Sequence, residues 1–199
     1  MRWLALSTIL LACGATTRAI PSEVSVGPQS SASAIVLTPA APEPTPPAAT
    51  VERFGNLDQF DAGSSHAPDL LLGSPIEIPR AGRVIELGVL VVTAGPRIVL
   101  ALYTDDHGQP GDLIAYTKAT PMVVGEMHLP VEVETPISRG QYWIMGDYDK
   151  QASIGIDYSD ADASVAYTSV PFGNRLPDPF PSPPTTYQGQ RFNYWVMLR

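Results

Sequence analysis

Cysteine is almost absent from this sequence. Cys13 is the only one in 199 residues, so the chain cannot form an intrachain disulfide. Long apolar runs are also missing. The N-terminal apolar segment, residues 4–12, is too short to cross a bilayer, which takes about 20 residues. This segment is therefore not a membrane span, and the lone cysteine is not a structural cross-link.

Basic residues are few. The sequence has 12 Lys and Arg against 20 Asp and Glu, which gives a formal net charge of −8. The charges balance before residue 51, so the whole excess belongs to the rest of the chain. This argues against a nucleic-acid partner, because phosphate backbones favour clustered Lys and Arg. An acidic surface also disfavours close contact with anionic lipid headgroups, and it is equally an ordinary device for solubility.

Motifs of common hydrolases and nucleotide-binding proteins are missing as well. His66, His107 and His128 are far apart in sequence, and none belongs to a paired H-E-x-x-H motif. There is no G-x-S-x-G nucleophile elbow, and no glycine-rich phosphate loop opens a helix. The sequence therefore predicts a protein that is not an enzyme, with no catalytic residue and no cofactor.

The N-terminus reads as an export signal. Arg2 precedes the apolar segment 4–12, whose length is typical of a secretory signal. The segment ends in Leu10-Leu11-Ala12-Cys13, which resembles the bacterial lipobox. The resemblance implies that residues 1–12 are a lipoprotein signal peptide and that Cys13 is lipidated. With Gly14 next, it implies an outer-membrane lipoprotein of a bacterial cell envelope. The alternatives are an ordinary signal cleaved near Ala19, giving a secreted or periplasmic protein, or a chance cysteine.

Residues 13–50 form a linker rich in Pro, Ala, Ser and Thr. Its stretch APEPTPPAAT cannot form a helix, because proline lacks the amide donor and has a fixed φ. The segment also has too little apolar bulk to fold. We therefore expect a disordered, extended tether between the lipid and a domain that begins at residue 51.

Residues 51–199 show the pattern of an all-β domain. No sustained apolar repeat of helical period occurs there, and short apolar runs are separated by Gly, Pro, Asn and Asp. The clearest runs, 83–93 and 97–104, are apolar nearly throughout, which favours central strands covered on both faces. The last run, 191–198, is expected to pair with the N-terminal part of the domain. The pattern predicts a two-sheet antiparallel β-sandwich, jelly-roll-like.

Three segments in succession resemble a recurrent module of bacterial exoproteins. They are RIVLALYTDDHGQPGDLIA (97–115), TPISRGQYWI (135–144) and FGNRLPDPFP (172–181). In that module a strand ending in Tyr leads into a G-x-P-G turn, a later strand carries Tyr-Trp, and a late loop is rich in proline. The match extends over most of residues 54–199. The resemblance implies a β-sandwich carried by lipoproteins and larger surface proteins, usually of unassigned function, and it implies no catalytic residue.

Two acidic segments are candidates for metal binding. Asp105 and Asp106 lie between two predicted strands, in a stretch whose Gly and Pro residues are typical of a turn. A second group, 157–162, is expected at the same end of the sandwich. Turn formation alone explains the first segment. A calcium site, which needs 6–8 oxygens, would have to combine both loops; its ligands would be Asp105, Asp106, Asp157, Asp160 and Asp162.

Aromatic side chains suggest a different kind of site. Tyr148, Tyr158 and Tyr187 are expected in or near loops, where they could stack on sugar rings. Trp143 and Trp195 lie within strands and are expected in the core, because a buried Trp contributes a large apolar area. The proline-rich segment 172–186 is expected to act as a strap that caps the open end of the sandwich.

Together these features predict a lipid-anchored, exported, non-catalytic β-sandwich module. Its expected partner is an extracellular glycan or a surface protein, and its contact with the membrane is through the lipid alone. Two alternatives are open. One is a structural envelope component without a ligand. The other is an accessory domain or weak hydrolase that uses loop carboxylates.

Overall fold

The computed structural model of the chain describes residues 50–58, 60 and 62–199. The predictions for the signal peptide, for Cys13 and for the tether up to residue 49 lie outside the described residues. The described elements are strands: β1 Glu52–Gly55, β2 Ala62–His66, β3 Leu70–Ile78, β4 Gly82–Thr93, β5 Arg97–Asp105, β6 Pro110–Tyr116, β7 Thr120–Pro121, β8 Gly125–Ile137, β9 Gly140–Tyr148, β10 Ala152–Asp157, β11 Ser164–Ser169, β12 Thr185–Gln188, β13 Arg191–Phe192 and β14 Tyr194–Leu198.

The strands form two antiparallel sheets that pack face to face, which confirms the predicted β-sandwich. Sheet 1 has the order β1-β14-β4-β10-β13, with β2 paired to β10 and β8 paired to β4. Sheet 2 has the order β12-β11-β3-β9-β5-β6, with β7 paired to β5. Among the described residues there is no helix long and apolar enough to cross a membrane.

The main core lies between the two sheets and follows from period-two alternation along the strands. On β5, Ile98, Leu100 and Leu102 are fully buried and face this core. The intervening Ala101 and Tyr103 are also fully buried, but they face the opposite, outer side of sheet 2. The predicted central strand covered on both faces is therefore confirmed for β5.

The last strand closes sheet 1 as the sequence predicts. β14 pairs antiparallel with β1, and Glu52 lies opposite Leu198. Four alternating side chains of β13 and β14 are fully buried in the main core: Phe192, Tyr194, Val196 and Leu198. Between the two strands, the buried Asn193 fixes the loop after β1, because its side-chain Nδ2 donates to the carbonyl oxygens of Asn56 and Asp58.

Trp143 and Trp195 are both buried, as predicted, but each lies on an outer face rather than between the sheets. Trp195 lies flat over Gly88 of β4, where a Cβ would be 1.9 Å from the indole Nε1. The guanidinium of Arg53 covers the other side of the indole, with its Cζ 3.7 Å from the ring centroid. Arg53 is held in place by a 2.9 Å ion pair with Glu126.

A second core covers the outer face of sheet 2. Leu176 and Phe180 of the segment between β11 and β12 pack there against a group of buried side chains: Leu71, Ala101, Tyr103, Trp143, Met145, Ala166 and Val170. We call residues 171–184 the strap. The predicted strap is confirmed, but its predicted position is corrected, because it lies across a sheet face and not over the open end of the sandwich.

Hydrogen bonds hold the backbone of the strap near its start and in its middle. Near its start, the amide of Phe172 donates to the Asp69 carboxylate at 2.8 Å. Further along, the Tyr103 hydroxyl donates to the carbonyl of Pro177 at 3.0 Å, and the amide of Phe180 donates to the carbonyl of Gly111 at 2.8 Å. The strap is therefore anchored to the edge strand β6 as well as to the strands beneath it.

Candidate functional site

Asp147 lies near the end of β9, and the alternation of that strand decides which way it points. Trp143 and Met145 face the second core, while Ile144 and Tyr148 face the main core. Asp147 shares the outer face with Trp143 and Met145, and it lies opposite Val99 of the neighbouring β5. Only 1% of Asp147 is exposed. A carboxylate thus takes a position where the strand otherwise places apolar side chains.

The carboxylate of Asp147 has an unusual electrostatic environment. No group of the described residues donates a hydrogen bond to its Oδ1. Burial raises the pKa of Asp147 from 3.8 to about 6, the backbone amide of Tyr148 opposes this, and the negative charges of Asp69 and Asp149 add to it. A buried carboxylate is normally paired or fully hydrogen-bonded. A titratable group with a shifted pKa beside a cavity is a marker of functional sites.

Asp147 lines a cavity of about 520 Å³ between sheet 2 and the strap. Its walls include the apolar side chains of Val99, Leu113 and Leu176. The rim carries Tyr116, which is 45% exposed. The lining also includes four charged residues besides Asp147: Lys118, Glu132, Arg175 and Asp178. The volume lies within the range of about 300–1,000 Å³ that is usual for small-ligand sites.

Chemically, this cavity offers a strong acceptor, an aromatic ring and apolar walls. The carboxylate can accept hydrogen bonds from hydroxyl or ammonium donors. The exposed ring of Tyr116 can stack on an apolar face of a ligand, and its position on the rim leaves it accessible. Such an arrangement suits reversible binding, with orientation set by Asp147.

The predicted turn at Asp105 is confirmed, and the turn uses its carboxylates internally. Asp105 Oδ1 accepts from the indole Nε1 of Trp143 at 2.8 Å, and Oδ2 accepts from the amide of Gly108 at 3.0 Å. Asp106 contacts the ring of His107, with 2.7 Å between Oδ1 and Nδ1. His107 and Gly108 both have positive φ, at 54° and 82°. Asp105 therefore links the turn to the second core.

The second acidic segment lies at the same end of the sandwich, as predicted, but it does not join the first. β11, which follows it, is separated from β5 by β3 and β9, so the two loops start roughly 14 Å apart at three strand spacings. Asp157 instead pairs with Arg191 at 2.5 Å, which lowers the pKa of Asp157 to about 2. Asp160 accepts from the amide of Asp162 at 3.1 Å.

Within the part of the chain that the structure describes, no three His, Cys, Asp or Glu side chains are grouped to hold a metal ion. The expected five-carboxylate calcium site needs both acidic segments together, and the structure does not group its proposed ligands: Asp105 and Asp106 lie at the end of β5 and the turn after it, and Asp157, Asp160 and Asp162 lie at the end of β10 and the loop after it.

The three tyrosines predicted as ligand platforms have different environments. Tyr148 corrects the prediction, since it is the last residue of β9 and fully buried, with its hydroxyl 2.6 Å from that of Tyr194. Tyr187 lies on β12, is partly buried, and donates to Gln190 at 3.0 Å. Tyr158 is 53% exposed in the loop after β10, which is the environment a platform needs.

Sequence reasoning missed Asp147 and Tyr116 as site residues. Asp147 lies opposite Val99, near the start of β5, and therefore at the end of the sandwich opposite the turn at Asp105. One signal was available in the sequence: Trp143, Met145 and Asp147 are spaced two residues apart on one strand, so their side chains lie on the same face. The position of the strap that closes the cavity had no such signal.

No protein-family model matches the chain, and no curated protein matches it significantly.

Proposed function

We propose that this protein is an exported, non-catalytic β-sandwich module that binds a glycan in the cavity between sheet 2 and the strap. The observation that carries the proposal is Asp147, a buried carboxylate without a donor to its Oδ1, which lines a cavity with an exposed Tyr116 on the rim. An apolar wall, an aromatic ring and one well-placed polar group are the usual components of a small-ligand site.

A glycan fits these components better than a purely apolar ligand. A sugar ring has an apolar C–H face for Tyr116 and for walls such as Leu113, and it has hydroxyl donors for Asp147. A hydroxyl bonded to a carboxylate forms a charge-assisted hydrogen bond, which is stronger than a neutral one. An apolar ligand would leave the carboxylate of Asp147 without a hydrogen-bond donor, and this unpaired group would lower the affinity for such a ligand.

The proposal also includes a lipid anchor at Cys13. Lipidation of Cys13 would attach the protein to the outer membrane of a bacterial cell, and residues 13–50 would hold the acidic sandwich away from the membrane surface. The resemblance to the recurrent exoprotein module supports an extracellular setting. A Cys13→Ser variant should lose incorporation of a labelled fatty acid and move from the membrane to the soluble fraction. Retained incorporation would contradict lipidation at Cys13.

Glycan binding can be tested with the full chain carrying Cys13→Ser, screened against oligosaccharides and measured by calorimetry. Tyr116→Ala should weaken binding at least tenfold, because stacking on an aromatic ring contributes on the order of 1.4 kcal/mol or more. Tyr158→Ala is the matched control, since Tyr158 is similarly exposed but lies outside the cavity. Loss of binding in Tyr158→Ala alone would move the site to the loop after β10. No binding to any oligosaccharide would favour a structural envelope component.

A further inference from the structure

We infer that the cavity selects a glycan with a primary ammonium group, that is an amino sugar, whose ammonium pairs with Asp147. This inference rests on the proposed function and specifies its ligand. It goes beyond glycan binding because it assigns a charge to the ligand, and with it a way to discriminate between sugars of the same size and linkage.

The first argument is the absence of a counter-charge from the protein itself. No cation of the described residues forms a salt bridge with Asp147: Arg97 pairs with Asp149 at 2.8 Å, Lys118 lies 3.7 Å from Glu132, and Arg175 lines the cavity without lying within salt-bridge distance of Asp147. The charges that act on Asp147 are those of Asp69 and Asp149, and both are negative. A cationic ligand group would therefore supply the counter-charge that the protein does not place beside Asp147.

The second argument is access. Asp147 is 1% exposed, so its carboxylate admits at most a group of about the size of a water molecule. A primary ammonium is a compact point charge with three donors, whereas a guanidinium is broad and planar. A calcium ion needs 6–8 oxygen ligands, and the described residues group no three suitable side chains. Among cationic groups, the primary ammonium is the compact one that still supplies several hydrogen-bond donors.

The third argument joins the ammonium to a sugar ring. Tyr116 on the rim and Leu113 and Leu176 in the walls provide apolar surface beside the carboxylate. A free metal ion or a small ammonium ion would leave this surface unused. An amino sugar places an apolar ring face and an ammonium within one residue of the glycan, which matches the combination of ring and carboxylate in the cavity.

Three tetrasaccharides with the same β-1,4 backbone separate the possibilities, since they differ only at the second ring carbon. They are the tetramers of glucosamine, of N-acetylglucosamine and of glucose, titrated calorimetrically into the full chain carrying Cys13→Ser at pH 7. The glucosamine tetramer should bind at least tenfold more tightly than the other two. Asp147→Asn should abolish that preference, and Asp162→Asn, which removes the same charge from a distant loop, should keep it.

The possible outcomes distinguish the inference from the proposed function. Equal affinity for all three tetramers, lost in Tyr116→Ala and unchanged in Asp147→Asn, would overturn the inference and leave glycan binding intact. A preference for glucosamine that survives Asp147→Asn would also overturn it. If no oligosaccharide binds, the result would contradict both the inference and the proposed glycan binding. Because Asp147→Asn is expected to be more stable than the wild type, loss of the preference could not be attributed to unfolding.

Discussion

Replacement of Asp147 by Asn should make this protein more stable at neutral pH. The two side chains have nearly the same shape, so the packing against Val99 and the strap is retained. What changes is the charge. At pH 7 the wild type must hold a buried carboxylate whose Oδ1 has no donor, while the amide of Asn carries no charge and has a much smaller desolvation cost.

The size and sign of the effect follow from the pKa of Asp147. Burial raises that pKa from 3.8 in the unfolded chain to about 6 in the folded protein, and each pKa unit corresponds to about 1.4 kcal/mol. A raised pKa means that Asp147 is neutral in both states below pH 3.8, and that stability is lost as the pH rises through 6. Asp147→Asn should therefore match the wild type near pH 3.5 and exceed it by about 3 kcal/mol above pH 7.

Urea denaturation at several pH values between 3.5 and 8 measures this difference directly. The slope of the unfolding free energy with urea should be unchanged, because the same surface is exposed on unfolding. Asp149→Asn is the contrasting control: the pKa of Asp149 is lowered by its hydrogen bond to Arg97, so this variant should not gain stability at neutral pH. If Asp147→Asn is no more stable than the wild type at pH 7, the carboxylate has a partner and the argument for the site fails.

Three further predictions concern buried packing contacts. Gly88→Ala should destabilise the protein by about 1–3 kcal/mol in urea melts, because the new Cβ would overlap the indole of Trp195, and a second change, Trp195→Leu, should recover part of the loss. Phe180→Ala should cost about 3–5 kcal/mol and make the strap sensitive to proteolysis, since Phe180 packs edge-on against Tyr103 at 5.4 Å; unchanged proteolysis would contradict its anchoring role. Burial lowers the pKa of His66 to about 4, so this side chain is neutral in the folded protein. The free energy of unfolding should therefore fall by about 3 kcal/mol as the pH falls from 6.5 to 4. When both proteins also carry Asp147→Asn, the His66→Phe variant should not show that fall.

The sandwich could be predicted from local patterns because strands alternate their side chains. In the last run, every second residue is apolar and belongs to one face of the strand, and these four side chains are fully buried: Phe192, Tyr194, Val196 and Leu198. The Gly and Pro residues around Gly108 marked the turn between β5 and β6. In each case the pattern lies within a few residues, and the alternation of side chains along a strand determines which of them are buried.

Other features depended on contacts that sequence patterns do not encode. Tyr148 is predicted in or near a loop, yet the alternation of side chains along β9 places it in the main core beside Tyr194. The strap was recognisable from its prolines, but its place across sheet 2 depends on Leu176 and Phe180 finding the second core. The two acidic loops share an end of the sandwich, and the sheet order separates them.

The choice of Asp at position 147 is the strongest link between this fold and a function. Positions 143 and 145 on the same face are Trp and Met, and both are buried in the second core, so an apolar side chain at 147 would extend that core without a desolvation cost. Asp instead costs about 3 kcal/mol at neutral pH, a large fraction of the 5–15 kcal/mol that holds most domains folded. Residues that lower stability in this way are often retained because a ligand needs them. A ligand that binds Asp147 would offset the cost, so a bound amino sugar should raise the melting temperature of the wild type and leave that of Asp147→Asn nearly unchanged.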